Sequence, residues 1–373
     1  MTSKERMLRA LDRGKPDRLP ATLHQWQKFH LDTYLGGATD LEAFQMFGLD
    51  ASIQYSQDAG QFRLAGADSA SAAPSDPGWR DEIEIIRDDP DDRACRHTIR
   101  TPGGTLTFAA AGNRATTWIT EYLIKRDDDI RLIDKYMPVP ALDAAAVSRM
   151  YDKVGDKGIL RGFVWGNQGG CWQHAACLMD IQQLILKAMD DPAWVHELME
   201  VLLRKKLRYI ETMKGARFDL VETGGGSASS TLISPAMHRD FCLPYDRRMH
   251  DALHGLGFAV TYHTCGGTLG IEELIVANGC DASETLAPTS IGGNQEPWEF
   301  KAKIAGRLAL IGGLDQFSVL TTGTPDQIRA MVFKLFEKVG ADGGYILSAS
   351  DHFFDTPPEN IRVYADAARA CVY

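Results

Sequence analysis

Asp219-Leu220-Val221-Glu222-Thr223-Gly224-Gly225-Gly226 decides how the rest of the chain is read. A short apolar run ends in a carboxylate and three glycines. A helical stretch over 235–256 follows, and then a second run, Ala259-Val260-Thr261-Tyr262-His263, ends in an imidazole. Apolar strand, polar terminus, helix and apolar strand make the rhythm of parallel βα units. The same rhythm continues outward, with strands expected at 158–165, 280–284, 308–312 and 344–348 and helices at 181–189, 192–213, 270–277 and 325–339. Ser234-Pro235 and Thr324-Pro325 open two of these helices with a capping hydroxyl followed by proline. A strand at 17–24, preceded by an amphipathic helix over 3–14, and one more short strand bring the count near eight. The leading architecture is therefore α/β, a (β/α)8 TIM barrel forming one domain over residues 1–373, with a doubly wound open sheet as the alternative.

Residues 52–125 have another texture. Gly, Asp, Ser and Pro are frequent, Glu82-Ile83-Glu84-Ile85-Ile86 and Thr105-Leu106-Thr107-Phe108 alternate, and Thr101-Pro102-Gly103-Gly104 is a turn signal. An inserted antiparallel β meander is expected there, within the N-terminal third of the barrel.

Composition narrows the function classes. With 40 Lys+Arg against 50 Asp+Glu the formal charge is −10, and no run of cations offers a face to nucleic acid. Seven irregularly spaced cysteines do not form a disulfide framework, and the start Met1-Thr2-Ser3-Lys4-Glu5-Arg6 lacks the apolar run of a signal peptide. A cytoplasmic protein with reduced thiols is expected. The apolar runs fall short of the ~18–20 residues that cross a bilayer, so no membrane role is expected.

In such a barrel the chemistry lies at the carboxyl ends of the strands. The polar residues there are His24, Asn167 and Gln168, Glu222, His263 with Cys265, Glu284, Asp315, and Ser350-Asp351-His352. His263 and Cys265 are one residue apart on an extended segment, so both side chains can share a face. Imidazole with thiolate suits zinc, although the same pair also serves as ordinary packing around a satisfied imidazole. The glycines after Glu222 match neither a P-loop nor G-x-G-x-x-G, so Glu222 is either a site carboxylate or a cap on its own loop. Trp26, Trp165, Trp172, Phe353 and Phe354 near strand ends suggest an apolar pocket, with core packing as the alternative. His24, Trp26, Trp165 and Asn167 are the expected substrate-binding residues.

Several segments, in order along nearly the whole chain, carry a family resemblance. They are Asp17-Arg18-Leu19-Pro20, Thr101-Pro102-Gly103-Gly104-Thr105-Leu106, Ile233-Ser234-Pro235 with Pro244-Tyr245, His263-Thr264-Cys265-Gly266, Ile311-Gly312-Gly313-Leu314-Asp315, and Gly343-Gly344-Tyr345-Ile346-Leu347 with Thr356-Pro357-Pro358-Glu359-Asn360. The chain resembles the uroporphyrinogen decarboxylase superfamily, and within it the corrinoid-dependent methyltransferase branch. That resemblance implies a (β/α)8 barrel and a zinc held by the H-x-C pair plus a cysteine after the last strand. His263 and Cys265 match the pair. The third position falls on Asp351 counted from one side and on Ser350 counted from the other, so this chain has no cysteine there. His352 is the expected substitute metal ligand, with Asp351 and Glu222 as catalytic groups or alternative oxygen ligands. The arginine-rich motif of the decarboxylases is represented only by Leu23-His24-Gln25-Trp26-Gln27-Lys28-Phe29, too poor in cations for a polycarboxylate.

The function implied is zinc-dependent transfer of a methyl group between a small methylated substrate, such as an O-methyl ether, and the cobalt of a corrinoid (cobalamin) carried by a partner protein. The 52–125 insertion would border either that docking surface or a self-association surface of a homo-oligomer. Two rival readings stand beside it: a metal-independent decarboxylase using Asp315 or His24 as proton donor, and a barrel that binds its ligand without turnover.

Overall fold

The computed structural model of the chain describes residues 1–55, 78–166, 169–304 and 306–373. Strand β1 (Ala51–Gln54) precedes four antiparallel strands, β2 (Arg80–Asp89), β3 (Asp92–Thr101), β4 (Gly104–Gly112) and β5 (Thr117–Glu121). Six more follow: β6 (Gly158–Phe163), β7 (Leu220–Gly224), β8 (Val260–His263), β9 (Ala282–Thr285), β10 (Ala309–Leu314) and β11 (Tyr345–Ala349). β1 and β6 to β11 pair in parallel, in chain order, as a curled seven-stranded sheet, while β2 to β5 form the separate antiparallel meander. Its β3–β4 turn is the Thr101–Gly104 signal.

Six of the expected parallel strands form within two residues of their expected limits. The exceptions lie near the N-terminus. The strand read as the start of the insertion, Ala51–Gln54, belongs to the parallel sheet and pairs with β6 in the register Ala51 to Gly158. The strand expected at 17–24 is reduced to a single parallel bridge between Ala21 and Leu347. Hydrogen bonds nevertheless tie it to both sheet edges: Thr22 N to Leu347 O and Leu347 N to Pro20 O on one side, Asp50 N to Ala21 O on the other. The helix expected over 235–256 breaks at Cys242 into Pro235–Phe241 and Leu243–Gly255. Pro244 has no N–H to donate and its ring crowds the preceding turn, which enforces the break.

Strand periodicity builds the interior in layers. Ile159, Leu220, Ala282, Ala309 and Ile346 form an apolar floor against Met7, Ala10 and Leu11 of the first helix (Ser3–Leu11). That helix is fixed by a capping box between Thr2 and Glu5 and by Arg6, which donates to Asp17 and Asp50. Two residues further along β6, β7 and β9, the same inward face presents Arg161, Glu222 and Glu284, all buried. The floor thus closes one end of the sheet, and the next layer is ionic. No helix among the described residues is long and apolar enough to cross a membrane.

Candidate metal centre

His263 ends β8 and is fully buried. Its Nδ1 lies 3.0 Å from Glu284 Oε1 and 3.5 Å from Glu222 Oε1, and its Nε2 lies 3.3 Å from Cys265 Sγ. Arg161 fixes both carboxylates from the floor side: its Nη2 is 2.7 Å from Glu222 Oε2 and 2.7 and 2.8 Å from the Glu284 oxygens. With Glu284 accepting from Nδ1, Nε2 is the nitrogen that faces the sulfur.

The three glycines after Glu222 are a spacing device. Gly224 has φ 91°, and a side chain there would run into the His263 carbonyl oxygen. At Gly226 a Cβ would stand 2.6 Å from Cys265 Sγ. The run, which matches no phosphate-binding motif, lets the loop after β7 pass beside the one after β8.

Asp351 supplies an oxygen on the open side. One donor atom each from His263, Cys265 and Asp351 lies within 4.8 Å of the other two. His24, Asp351 and His352 form an adjoining group at the same spacing. The His24 ring is 5.2 Å from that of His263 and 5.3 Å from that of His352. The two ring nitrogens of His352 face Gln25 Oε1 at 2.8 Å and Asp351 Oδ1 at 3.2 Å, so this side chain is held by neighbours.

The electrostatics favour a cation. Burial opposes charge on His263, yet the Cys265 sulfur and Glu222 raise its proton affinity well above that of free imidazole. Burial, together with Glu284, pushes Glu222 up to about 7. Burial works the same way on Glu284, but Arg161 and His263 outweigh it and hold Glu284 well below the carboxylate range. Burial, with His263 and His352 nearby, takes His24 down to about 3 against the pull of Glu284 and Asp351. Asp351 is drawn below its ordinary value despite burial, by His24, His263 and His352.

Nitrogen, sulfur and carboxylate oxygen are a zinc donor set, and the nitrogen–sulfur spacing fits. Tetrahedral bonds of about 2.05 and 2.3 Å separate nitrogen from sulfur by about 3.6 Å, close to the 3.3 Å between Nε2 and Sγ.

The remaining expected residues are distributed differently. Trp26 is turned into the core among Phe44, Phe47 and Phe353. Trp165 is half-buried edge-on to His174, and its carbonyl accepts from Lys206 Nζ at 2.7 Å. Asn167 and Gln168 lie outside the described residues. Asp315 caps the turn after β10, accepting from Phe317 N and Ser318 N at 2.8 Å and from the Ser290 and Ser318 hydroxyls. Burial resists its charge, but those donors hold it below the usual range, a poor state for a proton donor. Arg161 escaped the sequence reading, although a lone charge inside an apolar strand was the available signal.

A profile of the uroporphyrinogen decarboxylase (URO-D) family matches residues 112–371. The chain belongs to the uroporphyrinogen decarboxylase family. Among curated relatives of the URO-D group, uroporphyrinogen decarboxylase from Pseudoalteromonas atlantica is 28% identical over 188 residues, 48% of this chain and 49% of that one. Methylated-thiol–coenzyme M methyltransferase from Methanosarcina mazei is 25% identical over 202 residues, 53% and 49% of the two chains. The chain thus spans about half the length of the curated relatives it matches. The solved structure of a methyltransferase from Methanosarcina mazei superposes with TM-score 0.67 at 16% identity, covering 99% of this chain and 98% of that one. That likeness is one of fold.

Proposed function

We propose that this protein is a zinc-dependent methyltransferase that moves a methyl group between a small methylated compound and the cobalt of a corrinoid held on a partner protein. Single (β/α)8 architecture over residues 1–373 is part of that reading, with 20–23 in the remaining strand position and the β2–β5 meander as the insertion. The observation that carries it is the convergence of His263 Nε2, Cys265 Sγ and an Asp351 oxygen at the open end of the sheet. Asp351 is the ligand proposed in place of His352, because a donor atom of Asp351 shares a group with those of His263 and Cys265, whereas His352 groups with His24 and Asp351.

Zinc bound there supplies Lewis acidity toward the heteroatom that loses or gains the methyl group. The chain's own part is positioning. Glu284 keeps His263 in the tautomer that frees Nε2, and Arg161 keeps Glu284 ionised and in place. Glu222 shares that arginine and acts on the centre through Arg161 and His263. His24, buried and neutral, packs between the His263 and His352 rings and limits water at that side. A partner-borne corrinoid is part of the proposal because of the methyltransferase relatives, and a cytoplasmic setting agrees with cysteines that stand outside disulfides.

Elemental analysis of the purified chain is the first test, with about one zinc expected per chain and its loss expected in Cys265→Ala. The second is the absorption change of reduced cobalamin on addition of a methylated compound. A folded chain that takes up no zinc and leaves the cobalt spectrum unchanged would defeat the proposal. Release of carbon dioxide from a carboxylated substrate by that zinc-free chain would support the decarboxylase reading, for which the decarboxylase relatives speak.

A further inference from the structure

The end of the sheet opposite the metal centre carries a cavity of about 460 Å³. It lies outside the starts of β10 and β11: Leu310 lines it and belongs to the outer apolar cluster, whereas its neighbours Ala309 and Ile311 face the floor. Arg13, Lys301 and Lys338 reach this cavity from three separate segments. Lys15 stands beside it, with its Cγ 3.0 Å from where a Cβ on Gly343 would sit. In a chain of formal charge −10 this is a local surplus of cations. Asp342 is the one acid lining the cavity among the described residues.

The protein's own carboxylates neutralise the group only in part. Lys301 Nζ donates to the Val339 carbonyl and lies 3.8 Å from Asp342 Oδ2, and Lys338 Nζ is 3.2 Å from Glu337 Oε1. The Asp342 and Glu337 side chains are 87% and 72% exposed, so water screens both pairs. Among the described residues no carboxylate pairs with Arg13 or Lys15; Arg13 Nη1 donates to the neutral carbonyl of Arg307 at 3.5 Å. Burial lowers the proton affinity of Lys301, Asp342 opposes that and Lys15 adds to it.

A cleft with apolar walls and charges of one sign concentrates the opposite ion. Two cations without a carboxylate, beside two that share exposed ones, match a doubly charged anion, and phosphate oxygens accept from guanidinium and ammonium donors in charge-assisted hydrogen bonds. We infer that the floor end of the sheet holds a second binding site, for a phosphate dianion, formed by Arg13, Lys15, Lys301 and Lys338. The free ion and a phosphate ester share this chemistry, and Trp298 and Leu308 in the same wall offer an apolar surface to the body of an ester. The site is at the other end of β10 and β11 from the metal centre and does not rest on the methyl-transfer reading.

The test is calorimetric titration of the full chain with inorganic phosphate, phenyl phosphate and acetate at low ionic strength and pH 8, where both phosphates are dianions. Both are expected to bind and acetate is not; tighter binding of phenyl phosphate identifies an ester as the ligand, and equal affinity identifies the free ion. Arg13→Met and Lys338→Met, each at an exposed position, should weaken the binding of phosphate about ten-fold, the scale of one hydrogen bond to a charged group. Arg131→Met removes an equal charge from an exposed site paired with Asp128, and Cys265→Ala alters the metal centre; both should leave the affinity unchanged. No phosphate binding, equal binding of acetate, or affinity untouched by both Arg13→Met and Lys338→Met overturns the site. So does an equal loss in Arg131→Met, which would show a diffuse charge effect, or abolition in Cys265→Ala, which would put the ion at the metal centre.

Discussion

Replacing Gly226 by alanine puts one methyl group against the sulfur of the centre. The added Cβ would stand 2.6 Å from Cys265 Sγ and 3.2 Å from the Cys265 carbonyl oxygen. Non-bonded carbon contacts settle near 3.5–4.0 Å, so about 1 Å of room must be found. The backbone at Cys265 is held by the loop after β7, where Gly267 N donates to Thr231 Oγ1 and Ser230 N to Gly267 O. The sulfur is therefore what yields, by translation or by a change of rotamer. Metal–ligand distances tolerate about 0.2 Å, so a shift of that size removes sulfur from any site shared with His263 Nε2. Overpacking of this kind costs about 1–3 kcal/mol of stability, which a chain of this size survives. The expected result is a folded variant with zinc affinity lowered at least about ten-fold, the scale of changes that misplace a ligand. Competition against a chromogenic chelator measures the affinity and circular dichroism checks the fold. Unchanged zinc affinity in a folded Gly226→Ala protein would refute the assignment of Cys265 as a ligand.

Other perturbations probe the layers beneath. Arg161→Met leaves Glu222 and Glu284 buried without their cation and should cost about 3–5 kcal/mol in urea unfolding; adding Glu284→Gln should recover part of that loss, and a cost below about 1 kcal/mol would show the arginine to be dispensable. Asp246 is fully buried, accepts from Tyr262 Oη at 2.9 Å, and is raised by burial to about 7. Because the folded chain holds that proton while the unfolded chain releases it near pH 4, stability should fall as pH rises from about 4 to about 7. Asp246→Asn should therefore melt higher than the parent at pH 8, with the gap closing toward pH 4; a lower melting temperature at pH 8 would contradict this. Lys206→Met strands the Trp165 and Gly166 carbonyls, to which Lys206 Nζ donates at 2.7 and 3.2 Å, and should destabilise by about 1–3 kcal/mol in thermal melts.

The parallel strands were legible because both their faces are buried, which turns the sequence into apolar runs that need no partner to be recognised. Ala51–Gln54 was not, since four residues with a serine and a glutamine carry no such signal and the pairing with Gly158 creates the strand. The spacing of His263 and Cys265 allowed a shared face, and the family resemblance set the pair apart from ordinary packing. Their orientation could not, because Glu284 and Arg161 act on them from other strands of the sheet. Trp26 misleads for a related reason: an indole after a strand can face a cavity or a core, and here Phe44, Phe47 and Phe353 claim it. The position of His352 likewise depends on Gln25, a neighbour remote in sequence.

The tie between Thr22 and Leu347 also has a temporal meaning. A ribosome adding about 5–20 residues per second needs on the order of tens of seconds to travel between them. During that interval the segment that carries His24 waits without the strand it binds, and both borders of the growing sheet stay open. The end of the sheet that carries His24 therefore cannot close before Leu347 has been made, and a nascent chain halted earlier would leave the ribosome with that end unassembled.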